Sequence, residues 1–437
     1  MRIGLFTDTY KPSINGIVFV AESLKTQLES MGHEVYVFCP AKSIRPSKHA
    51  DILQETDHFI RFPSVKGAFY DDYDTSLFFP PMVLRKIRQL DLDIIHVLTP
   101  GQVGLIGIQS AWKTDTPFII QHCTDIYEFS EHYPATLPGA LALVGLVVPF
   151  TVKLKGKDIR ELAKLYRPRR GATVWNKDII EKTVTVIYSK ADAVITLSRK
   201  SKAQLESWQS DEVYRYPLIM LPNGVDALPK ATLGQINEFR EKFGIAKSDE
   251  VFGFVGRLGE EKNLPILIDT LGIVLQKRKN ARLLFVGDFE YRETLEKIAK
   301  NSGFGDRVTF TGALPRETLG VVYKSMQVFT FPSLKDTQGW VLHEAAHAGL
   351  PVVIIDRDLS EVVVDGQNGY IVANDPQKLA ETIADLLKNS KKRALFGAES
   401  KKLALKFTER RQMKKLEKLY QNVIKNHVPH GKSSIDD

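Results

Sequence analysis

Short apolar runs alternate with longer segments of three-and-four periodicity along most of the chain. Residues 3–7, 34–39, 94–98, 117–120 and 193–197 read as strands. Between them, Val18, Phe19, Ala21, Leu24, Leu28 and Met31 share one helical face, and Gly32 stops that helix. A second helix is expected over 81–90. The theme repeats after residue 250: runs at 251–255, 282–286, 308–311, 328–331 and 351–355 are β-like, with helices at 264–276 and 291–300. Strictly alternating strands and helices predict parallel sheets covered on both faces.

At 437 residues the chain exceeds what one hydrophobic core usually organises. Two doubly wound Rossmann-like α/β domains are therefore expected, facing each other across a cleft. The first covers 1–222 and the second 223–408, divided at the turn Leu221-Pro222-Asn223-Gly224-Val225-Asp226. A last helix over 409–426 carries Met413, Leu416, Leu419, Tyr420 and Val423 on one face. It has no strand of its own to cover, so it is expected to complete the first domain. Residues 427–437 read as a flexible tail.

Composition narrows the classes. Apolar residues make up 43% and charged residues 26%, as in an ordinary globular protein. Two cysteines, Cys39 and Cys123, exclude a disulfide framework and fit a reducing cytosol. The first residues are a strand and not a signal peptide, and no run is long and apolar enough to span a bilayer. The net charge of +8 admits nucleic acid, an anionic membrane or a phosphate-bearing substrate as partner.

Two constellations lie at strand ends, where open α/β sheets bind ligands. In Val255-Gly256-Arg257-Leu258-Gly259-Glu260-Glu261-Lys262, Gly256 lets the backbone turn, and Arg257 and Lys262 bring two cations to a loop before a helix. A pyrophosphate fits such a loop; a solvated charged turn is the plain alternative. The second runs from Thr330-Phe331-Pro332-Ser333 through Asp336 and Gly339 to Glu344, then Gly349-Leu350-Pro351. Gly339 opens a helix whose first amides, at Gly339, Trp340 and Val341, are donors without intrahelical partners. Asp336 and Glu344 are acceptors suited to sugar and ribose hydroxyls. An N-capped helix with a chance acid explains any one of these features, but not the ordered set.

With Asn15-Gly16, Val286-Gly287-Asp288 and Phe310-Thr311-Gly312, these motifs resemble glycosyltransferase family 4, retaining enzymes of the GT-B fold, over nearly the whole chain. The resemblance implies that Arg257 and Lys262 bind the donor diphosphate and stabilise the leaving group. Glu344 would hold the ribose, and the Gly16 loop would approach the donor phosphate. Asp336 stands where the family has the first Glu of its Glu-x7-Glu pair, one methylene shorter. A family His near the end of the fourth strand aligns with Cys123, beside His122. Adjacent strand residues point to opposite faces, and His122 is favoured as the one facing the donor. The resemblance implies no metal and no cofactor beyond the nucleotide-sugar co-substrate. Asp71-Asp72-Tyr73-Asp74 follows no donor-binding strand and reads as a surface loop.

The apolar stretch Leu137 to Phe150 precedes Lys153, Lys155, Lys157, Arg160, Lys164, Arg167, Arg169 and Arg170. It reads as a segment lying on an anionic bilayer, or as a core helix followed by a basic loop. With Tyr127-Glu128 and His132-Tyr133, this layout resembles the diacylglycerol glucosyltransferases. The expectation is hexose transfer, UDP-glucose favoured, to a lipid acceptor by a cytoplasmic protein peripheral on the inner face of the plasma membrane. A GDP-mannose or UDP-sugar transferase acting on a soluble glycan, a nucleotide-sugar epimerase and an inactive binding protein stay open. Nucleic acid is excluded as partner, because the basic cluster lacks stacking aromatics; no oligomeric state is implied.

Overall fold

The computed structural model describes residues 1–11, 13, 15–41, 58–65, 75–76, 81–123, 152, 154, 156–165, 172–209 and 212–429. The stretch 137–150, most of the cations behind it, the 127–133 residues and the acidic run 71–74 lie outside the described residues. The chain divides into two compact units: 1–222 with 412–437, and 223–411.

The first unit is built on β1 (Arg2–Phe6), β2 (Glu34–Pro40), β3 (Phe59–Phe62), β6 (Ile94–Val97), β7 (Phe118–Gln121), β8 (Ala193–Thr196) and β9 (Leu218–Met220). A short antiparallel pair, β4 (Ser64–Val65) and β5 (Thr75–Ser76), stands apart. The seven strands form one parallel sheet in the order β3-β2-β1-β6-β7-β8-β9. The reversal of order beside β1 is that of a doubly wound sheet. The helix Glu409–Asn426 closes this unit from Gln412 onward. Its Tyr420 hydroxyl lies 2.7 Å from His96 Nδ1, and Glu417 lies 3.0 Å from His33 Nε2. His427, expected in the flexible tail, is instead held by Asp192 at 2.8 Å.

The second unit carries β10 (Glu250–Val255), β11 (Ala281–Val286), β12 (Val308–Phe310), β13 (Val328–Phe331), β14 (Val352–Ile354) and β15 (Gly369–Ile371). Their order is β12-β11-β10-β13-β14-β15, all parallel. Central β10 is apolar at nearly every position because helices cover both of its faces. Phe252, Phe254, Phe285 and Phe329 are fully buried there; each such side chain contributes about 1.5–3 kcal/mol of burial.

Where the chain enters and leaves this unit, it is stitched to itself. The Gln338 side chain accepts from the Asn223 amide at 3.0 Å and donates to the Asn223 carbonyl at 2.9 Å. His347 Nε2 reaches the Val225 carbonyl at 2.8 Å, and Asp226 accepts from the Glu409 amide at 3.0 Å. Gly224 leaves no room for a side chain, since a Cβ there would stand 2.3 Å from the Glu409 backbone.

Among the described residues, no helix is long and apolar enough to cross a membrane.

Candidate active site

Three strand ends of the second unit converge through glycines. Gly256 leaves β10 at φ 146°, and Gly287 leaves β11 at φ 136°, backbone that side chains rarely adopt. A Cβ on Gly287 would stand 1.9 Å from the Gly256 carbonyl oxygen. The Gly287 amide donates to Gly312, just past β12, at 3.0 Å. Leu258 then donates to the Asp288 carbonyl at 3.2 Å, which fixes the loop carrying the cations.

That loop makes a single 3-10 turn over Glu260–Lys262 and continues into the helix Pro265–Lys277, with proline in its first turn. Asn263 donates to the Pro332 carbonyl at 3.3 Å and to Asn374 Oδ1 at 2.9 Å, tying the loop to the end of β13. Arg257 and Lys262 are therefore brought together as expected, but each has a carboxylate. Arg257 Nη2 donates to Glu261 Oε1 at 2.9 Å, and its guanidinium lies 4.4 Å from the Phe289 ring centre. Lys262 Nζ donates to Asp336 Oδ1 at 2.8 Å and lies 3.7 Å from Glu261 Oε1. Glu261 thus sits between both cations.

Asp336 joins this cluster from the loop after β13. Burial opposes its ionisation, but the Lys262 charge and hydrogen bond, the Ser333 hydroxyl and the Arg257 charge outweigh it. Its carboxyl is held below the usual range. Asp336 is an anion tied to Lys262, with its side chain still 20% exposed.

Gly339, at φ 64°, caps the helix Trp340–Ala348 without any side-chain hydrogen bond. A Cβ there would meet Leu342 at 2.8 Å. The amides of the first turn, Trp340 and Val341 among them, receive no cap from Gly339 and stand at the positive end of the helix dipole. Glu344 lies inside this helix, 2% exposed. Its two oxygens have separate partners: Arg316 Nη1 at 2.6 Å on Oε1 and the Tyr323 hydroxyl at 2.8 Å on Oε2. Burial raises its carboxyl above the usual value, against the pull of Arg316 and Tyr323. The Arg316 guanidinium also lies 5.6 Å from the Trp340 ring centre.

Sequence reasoning missed Glu261, Arg316, Tyr323 and Gln338. Glu261 and Gln338 stand inside the two motif stretches, and only the fold shows what their side chains hold. Arg316 and Tyr323 belong to no motif, and only the fold brings them to Glu344.

In the first unit, Gly16 begins the helix Gly16–Ser30 behind Asn15, whose Oδ1 accepts from the Ile17 and Val18 amides at 3.1 and 3.0 Å. His122, expected to face the donor, is placed at the end of β7 beside Cys123. Its ring is 4% exposed and its Nδ1 lies 2.9 Å from the Tyr188 hydroxyl. His122 continues the face of Ile120, which is in the same apolar cluster as Tyr188, and the phenol engages its Nδ1 inside the unit. Cys123 is the more exposed of the two. Among the described residues, no three His, Cys, Asp or Glu side chains gather in a metal-holding group.

Comparison with known proteins fits this site. The chain is 26% identical over 401 residues to an alpha-monoglucosyldiacylglycerol synthase of Acholeplasma laidlawii, covering 89% of each protein. It is 25% identical over 364 residues to a GDP-mannose-dependent alpha-mannosyltransferase of Mycolicibacterium smegmatis, covering 82% of each. Among solved structures, Anabaena HepE in complex with UDP and glucose superposes with a TM-score of 0.64 at 18% identity, over 97% of this chain and 100% of that one. Residues 14–227 match the model described as Glycosyltransferase Family 4, and residues 235–403 match Glycosyl transferases group 1. With two Rossmann-like units of the GT-B type and both models matched in order, the chain is a glycosyltransferase and belongs to family 4.

Proposed function

We propose that the chain transfers a hexose, with retention at the anomeric carbon, from a nucleotide-diphosphate sugar to a lipid acceptor such as diacylglycerol. UDP-glucose is the favoured donor, and the reaction takes place at the inner face of the plasma membrane, where the cytoplasmic protein is peripheral. One observation carries the donor side of this reading. Arg257, Lys262 and the first helical turn after Gly339 adjoin one another, fastened together by Asn263 and by the Lys262–Asp336 pair. The acceptor side is supported by the printed name of the Acholeplasma relative.

In this reading the donor diphosphate lies against Arg257 and Lys262, and the helix amides add to them. As the bond from the anomeric carbon to the diphosphate oxygen breaks, these fixed positive groups stabilise the charge on the leaving group. The acceptor hydroxyl enters on the same face. Glu344 accepts from the ribose hydroxyls, and Asp336 accepts from the sugar hydroxyls. The cations supply the charge that a metal would otherwise bring, so turnover persists in a chelator. The segment 137–170 supplies apolar side chains and cations for the membrane surface.

The printed name of the mannosyltransferase relative supports a second reading, GDP-mannose as donor. Purified full-length protein is offered UDP-glucose, UDP-galactose and GDP-mannose with a lipid extract in EDTA, and product masses are measured. A gain of one hexose on diacylglycerol from a UDP donor is expected. Turnover with GDP-mannose alone, or product only on a soluble glycan, overturns the reading.

A further inference from the structure

The outer face of the last helix, Glu409–Asn426, is not used by the donor site. Its inner face is an apolar stripe of Met413, Leu416, Leu419, Tyr420 and Val423, all buried. The opposite face is cationic. Arg410, Arg411, Lys414, Lys415, Lys418 and Lys425 are all exposed. At 100° per residue they fall within about 140° of the helix circumference, and they extend along it for roughly 22 Å. The helix has two acidic residues, Glu409 and Glu417. Neither lies in the cationic sector, and Glu417 is held by His33.

None of the six cations has an ion-pair partner among the described residues. Other surface helices of the chain interleave their signs: Arg292 bonds to both Asp288 and Glu296, and Lys378 pairs with Glu381. Here Arg410 and Lys414, Arg411 and Lys415, and Lys414 and Lys418 are like charges four residues apart, which opposes helix formation. The helix forms through its buried stripe and holds the repelling charges outward. An external polyanion relieves that repulsion.

We propose that this cationic stripe docks the protein on an anionic lipid bilayer. The choice of a bilayer over other polyanions rests on the lipid-acceptor reading and on the face itself. It carries no aromatic side chain on which a nucleobase would stack. Straight and made of long flexible side chains, it suits a flat charged surface.

The test uses the full chain and vesicles of equimolar phosphatidylglycerol and phosphatidylcholine, with pure phosphatidylcholine as the neutral control, by co-sedimentation at low and high salt. In one variant, Lys414→Gln, Lys415→Gln, Lys418→Gln and Lys425→Gln are combined. In a matched control with the same change in net charge, Lys230→Gln, Lys247→Gln, Lys277→Gln and Lys388→Gln are combined. Glutamine keeps helix propensity, and thermal melts check that both variants fold. The stripe variant is expected to lose about fivefold in partitioning per cation, hence roughly 600-fold for the four together. The control keeps most of its binding, and neutral vesicles bind neither protein. Wild-type binding by the stripe variant, or equal loss in the control, overturns the proposal. So does tighter binding of an RNA oligonucleotide through the same four lysines. Transfer to a detergent-dispersed acceptor is measured alongside and stays at the wild-type rate in the stripe variant. If wild-type protein forms no lipid product, the acceptor reading fails while the vesicle comparison still decides the stripe.

Discussion

Replacing Arg316 by methionine tests whether the carboxylate of Glu344 works as an anion. Glu344 is 2% exposed and takes one charged donor, Arg316 at 2.6 Å, and one neutral donor, Tyr323 at 2.8 Å. Removing one partner of a fully buried ion pair costs about 3–5 kcal/mol. The Arg316 side chain is 38% exposed, so solvent screens part of its charge, and about 1–3 kcal/mol is the reasonable range. Burial already raises the Glu344 carboxyl, and Arg316 is the largest influence holding it down. Without Arg316 it rises further. A carboxyl raised in the folded state favours folding below its unfolded value, and that contribution is lost as pH rises through the folded one. The stability deficit of Arg316→Met should therefore be small in acid and grow toward neutral and alkaline pH. Catalysis moves the other way. If Glu344 accepts from the ribose as an anion, donor binding weakens as it protonates. The acidic limb of kcat/KM should shift to higher pH, with a loss of roughly 5- to 150-fold near neutrality carried mainly by KM. Arg316→Lys should restore part of the limb. Steady-state kinetics over roughly pH 5 to 9, with thermal melts at each pH, read both effects. An acidic limb at the wild-type position, or a loss independent of pH, would refute an ionised Glu344 as the donor contact.

Three further outcomes follow from the same geometry. Lys262→Gln should lower kcat by roughly 100- to 1,000-fold, since it removes a fixed cation from the leaving group; near-wild-type turnover would remove Lys262 from the machinery. Gly287→Ala puts a Cβ 1.9 Å from a backbone oxygen at φ 136°, and calorimetry should find a loss of about 2–5 kcal/mol. An unchanged melting temperature would mean that the glycine platform is not built as described. Burial drives His343 down to about 3 from 6.5, and neither ring nitrogen has a hydrogen-bond partner. Its folded value is depressed, so stability is lost as pH falls from about 6.5 through about 3, by at most about 5 kcal/mol. His343→Leu should unfold at lower pH than wild type in acid titration followed by circular dichroism, and coincident curves would contradict this.

The fold was legible wherever burial on both faces made strands continuously apolar. Ten of the long runs became β1, β2, β6, β7, β8, β10, β11, β12, β13 and β14. β3, β9 and β15 were not read; all three are short and lie at sheet edges, as does β12, which was read from the run 308–311. Phe59–Phe62 alternates burial over four residues, and Leu218–Met220 is only partly covered. Such segments are indistinguishable from loops by periodicity. The site was legible to the same degree and for a parallel reason. Gly256, Gly339 and the two cations are set by local backbone demands that recur in sequence. Tyr323, on the helix Leu319–Lys324, and Arg316, on the 3-10 turn Arg316–Thr318 before it, meet Glu344 only because that helix packs against the helix Trp340–Ala348, which leaves no trace in a linear motif. The choice between His122 and Cys123 was not legible for a third reason. Alternation says that neighbours point apart, but not which of the two covered faces of a doubly wound sheet leads to the ligand.

What changes most is the electrostatic character of the donor loops. From sequence, Arg257 and Lys262 are two cations awaiting a diphosphate. In the structure each is engaged by a carboxylate, Glu261 or Asp336, so the cluster is close to neutral on its own. Two bare cations this close would repel one another and destabilise the loop that holds them. Glu261, buried at 8% and shared by both, removes that cost and fixes where each cation points. Asp336 differs from Glu261 in being partly open and in sitting on the other loop. Its Oδ1 is held by Lys262, while its Oδ2 is buried without a hydrogen-bond partner among the described residues, so a sugar hydroxyl reaching Oδ2 in the proposed reaction would need the loop after β13 to shift. Its short side chain is then no defect. One methylene less than the family's glutamate still closes to 2.8 Å on Lys262, so the pair that neutralises the cation also fixes where the Asp336 carboxylate stands.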